Sequence, residues 1–190
     1  MTDLHAYLID FDGTLADTKN ANYVSYAEAL SEHNIQIDFD TFMQFSDGKH
    51  WSEFLPVIYQ YAKINNPPLA ENIAKRKTEL YKTHANKIRF NEPLVTLLKS
   101  VSKFSSIALV TTASTANVQS ALAARPDIQT LFSFVIAGED VKQHKPHPEA
   151  YQIAAERLNV SPNQCLIFED SQAGIASAEA FGGQVIKTYI

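Results

Sequence analysis

The segment AYLIDFDGTLADT, residues 6–18, joins an apolar run to two carboxylates separated by one residue. Asp and Gly are poor strand residues, and two like charges at this spacing repel one another. The apolar run predicts a strand over 5–11 that is buried on both faces, as in a parallel sheet. A stretch that breaks local rules in this way is typical of a functional site.

Further short apolar runs alternate with helical patterns in the second half of the chain. Strands are predicted over 106–112, 132–139, 165–170 and 184–189. Helices are predicted over 92–104, 115–124, 148–159 and 171–183. Ser114 is a suitable N-cap for one of these helices, and Pro148 suits the first position of another. The alternation predicts an α/β fold with a Rossmann-like, doubly wound parallel sheet.

Residues 19–88 interrupt this alternation because they contain no convincing strand. Their pattern predicts helices over 21–33, 39–46, 52–64 and 70–86. Pro56 falls in the third helix, which either starts or kinks there. We interpret 19–88 as a helical cap domain inserted into a core formed by 1–18 and 89–190. The alternative is that these helices are core elements of one larger domain.

The composition limits the function classes that need to be considered. The chain has 190 residues, 45% of them hydrophobic, one cysteine and a formal net charge of −5. The charge disfavours nucleic-acid binding, and a single cysteine excludes an internal disulfide. The N-terminal segment lacks the features of a secretory signal, and no apolar run approaches the length of a membrane span. We therefore expect a cytoplasmic location.

Polar side chains occur where the predicted strands end. In chain order they are Asp10, Asp12, Thr111, Thr112, Lys145, Glu169 and Asp170. Lys145 follows the third strand and is predicted to open a helix. Open α/β sheets bind ligands beyond the carboxyl ends of their strands, so we expect these side chains to converge at one edge.

The residue types in this cluster predict a divalent cation and a phosphate. Converging carboxylates repel one another unless a cation compensates them. All-oxygen ligands suit Mg²⁺ or Ca²⁺. A site in which a few carboxylates and a substrate phosphate together bind the ion is typical of Mg²⁺. His and Cys pairs at zinc-ligand spacing are absent from the sequence. Lys145, the Thr111 hydroxyl and a close backbone turn at Gly13 would complete a phosphate site.

Two carboxylates can divide the chemistry of phosphoryl transfer. One attacks phosphorus and forms an aspartyl phosphate, while the other protonates the leaving group and then deprotonates water. Alternate residues of a strand point to the same face. The spacing of Asp10 and Asp12 therefore predicts that both lie at one reaction centre.

Four segments resemble, in the family's order, the motifs of the haloacid dehalogenase superfamily in its phosphatase branch. They are DFDGT (10–14), LVTTAS (109–114), KPHPEAY (145–151) and IFEDSQAGIASAEAFG (167–182). The last is especially similar to β-phosphoglucomutase-like members. The resemblance spans nearly the whole chain and implies a Rossmann-like core, a helical cap after the first strand and Mg²⁺ as cofactor.

The resemblance also implies roles for individual residues. Asp10 is the implied nucleophile and Asp12 the implied acid/base, while Thr111 takes the phosphate-binding position of the second motif. The metal site then comprises Asp10, Asp12, Asp170 and, as a further ligand, Glu169. The substrate phosphate is held by Gly13, Thr111, Thr112 and Lys145. Because dehalogenases lack the second acid, Asp12 favours phosphoryl transfer.

We expect Mg²⁺-dependent hydrolysis of a small phosphomonoester, such as a sugar phosphate, by a monomer or weak dimer. One alternative is a phosphosugar mutase, which Asn22 disfavours because mutase-type relatives usually carry His nearby. Another is a protein that binds a phosphorylated metabolite without turnover, which the intact acid pair disfavours. The residue before Lys145 is His144, where the family usually has Gly or Ser.

The stretch SDGKHW, residues 46–51, occupies the place where such caps often carry a substrate-reading loop. Lys49, His50 and Trp51 are therefore candidates to contact the leaving group of the substrate. The alternative is an ordinary turn between helices at Gly48. The many aromatic residues of 19–88 are expected to form the core of the cap.

Overall fold

The computed structural model describes residues 4–46, 49 and 51–190. It divides into two compact units. The first comprises the chain up to Thr18 together with Arg89–Ile190, and the second comprises Lys19–Ile88. No helix among the described residues has both the length and the apolar character needed to cross a bilayer.

The first unit is built on a five-stranded parallel sheet with strand order β5-β4-β1-β6-β7. Its strands are β1 (Ala6–Ile9), β4 (Ser106–Val110), β5 (Phe134–Ile136), β6 (Cys165–Glu169) and β7 (Gln184–Lys187). β1 is central and pairs with β4 and β6, and its Ala6, Leu8 and Ile9 are fully buried. A central strand covered on both faces needs apolar residues throughout, which explains the unbroken run in the sequence. The α/β prediction is confirmed.

Five helices accompany this sheet. They are α5 (Glu92–Val101), α6 (Thr115–Ala123), α7 (Pro126–Gln129), α8 (Glu149–Leu158) and α9 (Gln172–Phe181). Ser114 caps α6 by accepting a hydrogen bond from Asn117 N, as expected from the sequence. Ser171 caps α9 in the same way, through Gly174 N. Buried residues of α8 and α9 pack on the sheet to form one hydrophobic core.

Several predicted boundaries are corrected by the structure. β1 ends at Ile9, so neither Asp10 nor Asp12 lies in the strand. Lys145 does not open a helix, because α8 begins at Glu149 with Pro148 as its N-cap. The four-residue helix α7 is too short to show a helical period in the sequence.

The chain passes from one unit to the other twice, after Thr18 and after Ile88, and a two-stranded antiparallel ribbon forms next to these two points. It pairs β2 (Ala16–Asp17) with β3 (Arg89–Phe90). Arg89 also forms an ion pair with Asp17 at 2.6 Å. Strands of two residues carry no alternation, so the sequence did not predict this ribbon.

The second unit is helical, as expected for 19–88. Its helices are α1 (Lys19–Ser31), α2 (Phe39–Ser46), α3 (Trp51–Tyr61) and α4 (Ala70–Tyr81). α3 begins at Trp51 and contains Pro56, so the helix does not start at the proline. The rings of Tyr26, Phe42 and Phe54 meet at centroid distances of 5.1–5.7 Å in the unit's core. These aromatic residues are therefore core residues, as expected.

Candidate active site

The chain turns sharply after β1 and carries Asp10, Asp12 and Gly13 in that turn. Phe11 O accepts hydrogen bonds from both Leu15 N and Ala16 N. Gly13 has φ of +86°, and a Cβ built there would lie 2.2 Å from Asp170 Oδ2. Glycine is required for two reasons. The backbone conformation is left-handed, and the Asp170 carboxylate occupies the place that a side chain would take.

The two aspartates of this turn differ in burial and in their partners. Asp10 is buried, whereas Asp12 is partly exposed and its Oδ1 accepts a hydrogen bond from the buried Thr18 hydroxyl. The strand-face argument does not apply, because the strand ends before both residues. The charge of Asp12 nevertheless contributes to the raised pKa of Asp10, as expected for neighbouring carboxylates. Thr18 was not singled out in the sequence, since a threonine beside a helix start carries no distinctive signal.

Three carboxylates converge at the ends of the neighbouring strands β1 and β6. Oxygens of Asp10, Glu169 and Asp170 all lie within 4.8 Å of one another. Thr14 Oγ1 donates to Asp170 Oδ1 at 3.2 Å, which helps to orient that carboxylate. Among the described residues, the Asp12 carboxylate does not belong to this acidic group. The predicted convergence of the strand ends is thus seen for three of the four acids.

Lys145 reaches the acidic group from the loop between β5 and α8. Its Nζ donates to Asp10 Oδ1 at 2.7 Å, to Glu169 Oε1 at 2.5 Å and to Val110 O at 3.1 Å. These three bonds use all three protons of the ammonium group. The lysine is buried, and its charge lies between two carboxylates.

Glu169 is fully buried and is surrounded by donors. Oε1 accepts from Lys145 and faces the Tyr151 hydroxyl at 3.4 Å, while Oε2 accepts from Ser171 N at 2.9 Å and Ser171 Oγ at 3.0 Å. Four donors match the number of lone-pair sites on a carboxylate. A Cβ at Gly174 would lie 1.7 Å from Oε1, so only glycine leaves room for this side chain.

The electrostatics of the site follow from its burial. Burial raises the pKa of Asp10 to about 7, because the opposing effect of Lys145 is smaller and Glu169 adds to the rise. Burial opposes the charged form of Lys145, but Asp10 and Glu169 outweigh it and its pKa is raised. Burial and the charge of Glu169 raise the pKa of Asp170. A cation bound to these carboxylates would favour their ionised forms.

The two threonines at the end of β4 differ in their accessibility. Thr111 is buried, and its Oγ1 accepts a hydrogen bond from Ala113 N at 3.0 Å. Thr112 is exposed. In its bond with Ala113 N the Thr111 hydroxyl is the acceptor, so its proton can still be donated to a ligand. A phosphate contact by Thr111 or Thr112 stays a prediction.

The cap residues selected from the sequence belong to the second unit. Lys49 is exposed, and Asn22 lies in the first turn of α1 in the second unit. His50 and Gly48 lie outside the described residues. A substrate contact by Lys49 or His50 stays a prediction.

The acidic group fits the donor chemistry of Mg²⁺. Every candidate ligand is a carboxylate oxygen, which is the ligand type that Mg²⁺ prefers. Lys145 and Thr14 bond Oδ1 of Asp10 and of Asp170, so Oδ2 of each can be offered to a cation. The missing side chain of Gly13 leaves the room that Asp170 Oδ2 occupies.

A buried lysine side chain facing clustered carboxylates, at the carboxyl ends of a parallel sheet, is typical of the active site of an α/β enzyme. The sequence model of the haloacid dehalogenase-like hydrolase family matches residues 7–188. The chain therefore belongs to this family, and the resemblance noted in its four motifs is confirmed.

Similar proteins agree with this assignment. The fructose-1-phosphate phosphatase YqaB of Escherichia coli is 31% identical over 183 residues, covering 96% of this chain and 95% of that protein. The phosphorylated carbohydrates phosphatase of Thermotoga maritima is 28% identical over 180 residues, covering 94% of this chain and 82% of that protein. The chain is accordingly an enzyme of the phosphatase branch of the superfamily.

The fold is similar to that of a solved structure along nearly its full length. CbbY from Rhodobacter sphaeroides, crystallised with phosphate, superposes with a TM-score of 0.85. The match covers 98% of this chain and 87% of that chain at 24% identity. At this identity the likeness supports the fold alone.

Proposed function

We propose that the chain is a Mg²⁺-dependent phosphatase that hydrolyses a sugar phosphate or a similar small phosphomonoester through an aspartyl phosphate on Asp10. The observation that carries the proposal is the buried Lys145 ammonium, bonded to Asp10 Oδ1 at 2.7 Å beside Asp170. Relatives named for fructose 1-phosphate and for phosphorylated carbohydrates support this substrate class.

Asp10 is the proposed nucleophile. A carboxylate oxygen of Asp10 forms a bond to phosphorus as the bond from phosphorus to the ester oxygen breaks. Lys145 holds Asp10 through Oδ1 and brings positive charge to the transferring phosphoryl group. The hydrogen bonds to Asp10 and Glu169 hold the ammonium group of Lys145 in one position.

Asp12 is the proposed acid/base. It gives its proton to the departing ester oxygen and then takes a proton from the water that attacks the aspartyl phosphate. That attack breaks the bond between phosphorus and the Asp10 oxygen, so phosphate leaves and Asp10 is regenerated. The hydrogen bond from Thr18 orients the Asp12 carboxylate, whose charge also acts on Asp10.

The proposed metal ligands are Asp10 and Asp170. When bound, Mg²⁺ supplies positive charge that reduces repulsion between the nucleophile and the phosphate. The four donors around Glu169 make it the counter-ion of Lys145 rather than a metal ligand. The Asp12 side chain lies outside the acidic group. The proposal thus uses two of the four side chains that the sequence suggested as metal ligands.

The phosphate is proposed to lie against the positive charge of Lys145 and to be held by the backbone turn at Gly13 and the hydroxyls of Thr111 and Thr112. Thr111 Oγ1 only accepts the hydrogen bond from Ala113 N, so its own proton is available to a phosphate oxygen, and Thr112 is exposed. Residues 19–88 are proposed to act as the cap that selects the substrate and excludes water, with Lys49 and His50 as contacts.

The proposal is tested by phosphate release from fructose 1-phosphate and from an aryl phosphate, with Mg²⁺ and with EDTA. Release is expected only with Mg²⁺ and is expected to be lost in Asp10→Asn. Asp40→Asn, on the exposed side of α2, is the matched control and should keep native rates. Equal release by Asp10→Asn and the native protein would exclude Asp10 as nucleophile. No release from either substrate would refute the proposed activity.

A further inference from the structure

Lys145 lies in a loop, so the position of its ammonium group depends on the contacts that hold the loop in place. The segment 141–148 between β5 and α8 contains neither helix nor strand. A lysine side chain has several rotatable bonds and places its ammonium well only if its backbone is fixed. The contacts of this loop therefore bear on the position of the Lys145 ammonium.

Glu149 holds the first part of the loop through both of its carboxylate oxygens. Oε1 accepts a hydrogen bond from Lys142 N at 3.0 Å, and Oε2 accepts one from Gln143 N at 2.9 Å. These backbone bonds, that of Lys142 first, hold the pKa of Glu149 below its usual value. A charged acceptor makes stronger hydrogen bonds than a neutral one, so both bonds resist opening.

The support beneath Glu149 is itself rigid. Glu149 begins α8, whose next residues Ala150 and Tyr151 are buried in the core of the first unit. At the far end of the loop, the buried Ser177 of α9 donates from Oγ to His147 O at 2.8 Å. Lys145 thus lies between two anchored points, one on α8 and one on α9.

We propose that Glu149 is a positioning residue that fixes the Lys145 loop and, through it, the ammonium group beside Asp10. The inference rests on the proposed function, which gives Lys145 its part in phosphoryl transfer. Glu149 acts only through the backbone of residues 142 and 143, and its side chain contacts neither Asp10 nor Asp170 among the described bonds. The Lys145 charge stabilises the transition state only when it is correctly placed. A residue that fixes its position therefore affects the reaction rate.

The test compares Glu149→Ala and Glu149→Gln with the control Glu156→Gln, an exposed glutamate of the same helix. Glu149→Ala is expected to lower kcat/KM by about 10- to 100-fold, with most of the loss in kcat. Glu149→Gln keeps one acceptor oxygen and is expected to lose less. Glu156→Gln should match the native protein. Unfolding midpoints are measured alongside, and rates are taken well below all of them.

The inference is overturned if Glu149→Ala stays within about twofold of native kcat/KM, or if only KM changes. It is also overturned if Glu156→Gln loses as much. A native protein without Mg²⁺-dependent release would contradict the proposed function instead. In that case amide exchange at Lys142 and Gln143 tests the clamp directly. Exchange at least tenfold faster in Glu149→Ala supports it, and unchanged exchange overturns it.

Discussion

The two units each bury a lysine side chain, and the contacts described for the two lysines differ. Lys145 in the first unit is hydrogen-bonded to two carboxylates and a carbonyl oxygen. Lys77 in the second unit lies over aromatic rings, with its Nζ 4.4 Å from the Tyr81 centroid and 5.3 Å from that of Tyr26. The first arrangement concentrates charge that can act on a ligand, whereas the second belongs to an aromatic core that holds helices together.

This difference implies that substitutions in the two units have different consequences. Changes around Lys145 should reduce catalysis more than their effect on stability would explain, because that unit carries the reacting groups. Changes in the aromatic core of the second unit should reduce stability while leaving the chemistry intact. The predictions below test this division, from the largest expected effect to the smallest.

The largest effect is expected for Lys145→Ala. It removes the charge beside the nucleophile and should lower kcat/KM by at least about 1000-fold. It also leaves Asp10 and Glu169 without their buried partner, at a cost of about 3–5 kcal/mol in unfolding free energy. Steady-state kinetics and urea unfolding measure both effects. A variant that keeps a tenth of native activity would show that Lys145 is not needed for the transfer.

Phe42→Ala tests the aromatic core of the second unit. Phe42 is buried between Tyr26 and Phe54, so its truncation should lower the unfolding free energy by about 3–5 kcal/mol. The turnover number of the folded fraction should change little, because no reacting group is touched. Urea unfolding and kinetics at low temperature provide the measurements. A large fall in kcat without loss of stability would contradict the division between the units.

Gly174→Ala tests whether the close packing of Gly174 against the Glu169 carboxylate is needed for activity. The added Cβ would lie 1.7 Å from Glu169 Oε1, so the carboxylate or α9 must shift. Overpacking of this kind costs about 1–3 kcal/mol, and we expect kcat/KM to fall as Lys145 loses its counter-ion geometry. Gly183→Ala is the control, since its nearest neighbour is the movable end of Ile167. Equal effects in the two variants would show that Glu169 has no special importance.

The pH dependence of the metal-free protein is a smaller effect with a definite sign. The pKa of Asp10 is raised from 3.8 to about 7, so between these values the native state keeps a proton that the unfolded state releases. Stability should therefore fall as pH rises from about 4 to 7 and level off above, relative to Asp10→Asn. Urea unfolding in EDTA at several pH values measures this difference. A difference that stays constant with pH would exclude the raised pKa.

The sequence predicted the sheet because the strands that build it are apolar throughout. It also predicted Ser114 as a cap, and the four motifs identified the family before any geometry was known. The strand-end rule brought Asp10, Glu169 and Asp170 to one edge correctly. These successes share a cause, since each rests on a local pattern or on a rule that depends only on strand order.

The failures concern side-chain direction and short elements. Asp10 and Asp12 were placed on one strand face because the sequence does not show that the strand ends at Ile9. The engagement of Thr111 by Ala113 N depends on the conformation of the loop after β4. Tyr151 and Ser171 surround Glu169, but in the sequence they read as an ordinary helix residue and an ordinary turn residue. Long-range packing decides these contacts.

The central claim is that Asp10 carries the phosphoryl group during turnover. Asp12→Asn should slow hydrolysis of the aspartyl phosphate, and with an aryl phosphate, whose leaving group departs without a proton, attack by Asp10 should continue, so the aspartyl phosphate should accumulate. The most direct measurement is rapid acid quenching of Asp12→Asn with an aryl phosphate and Mg²⁺, followed by peptide mass spectrometry. We predict one phosphoryl group on the peptide that contains Asp10 and none in the Asp10→Asn, Asp12→Asn double variant. Turnover by the native protein with no such adduct in Asp12→Asn at any quench time, or the same adduct in the double variant, would contradict the account.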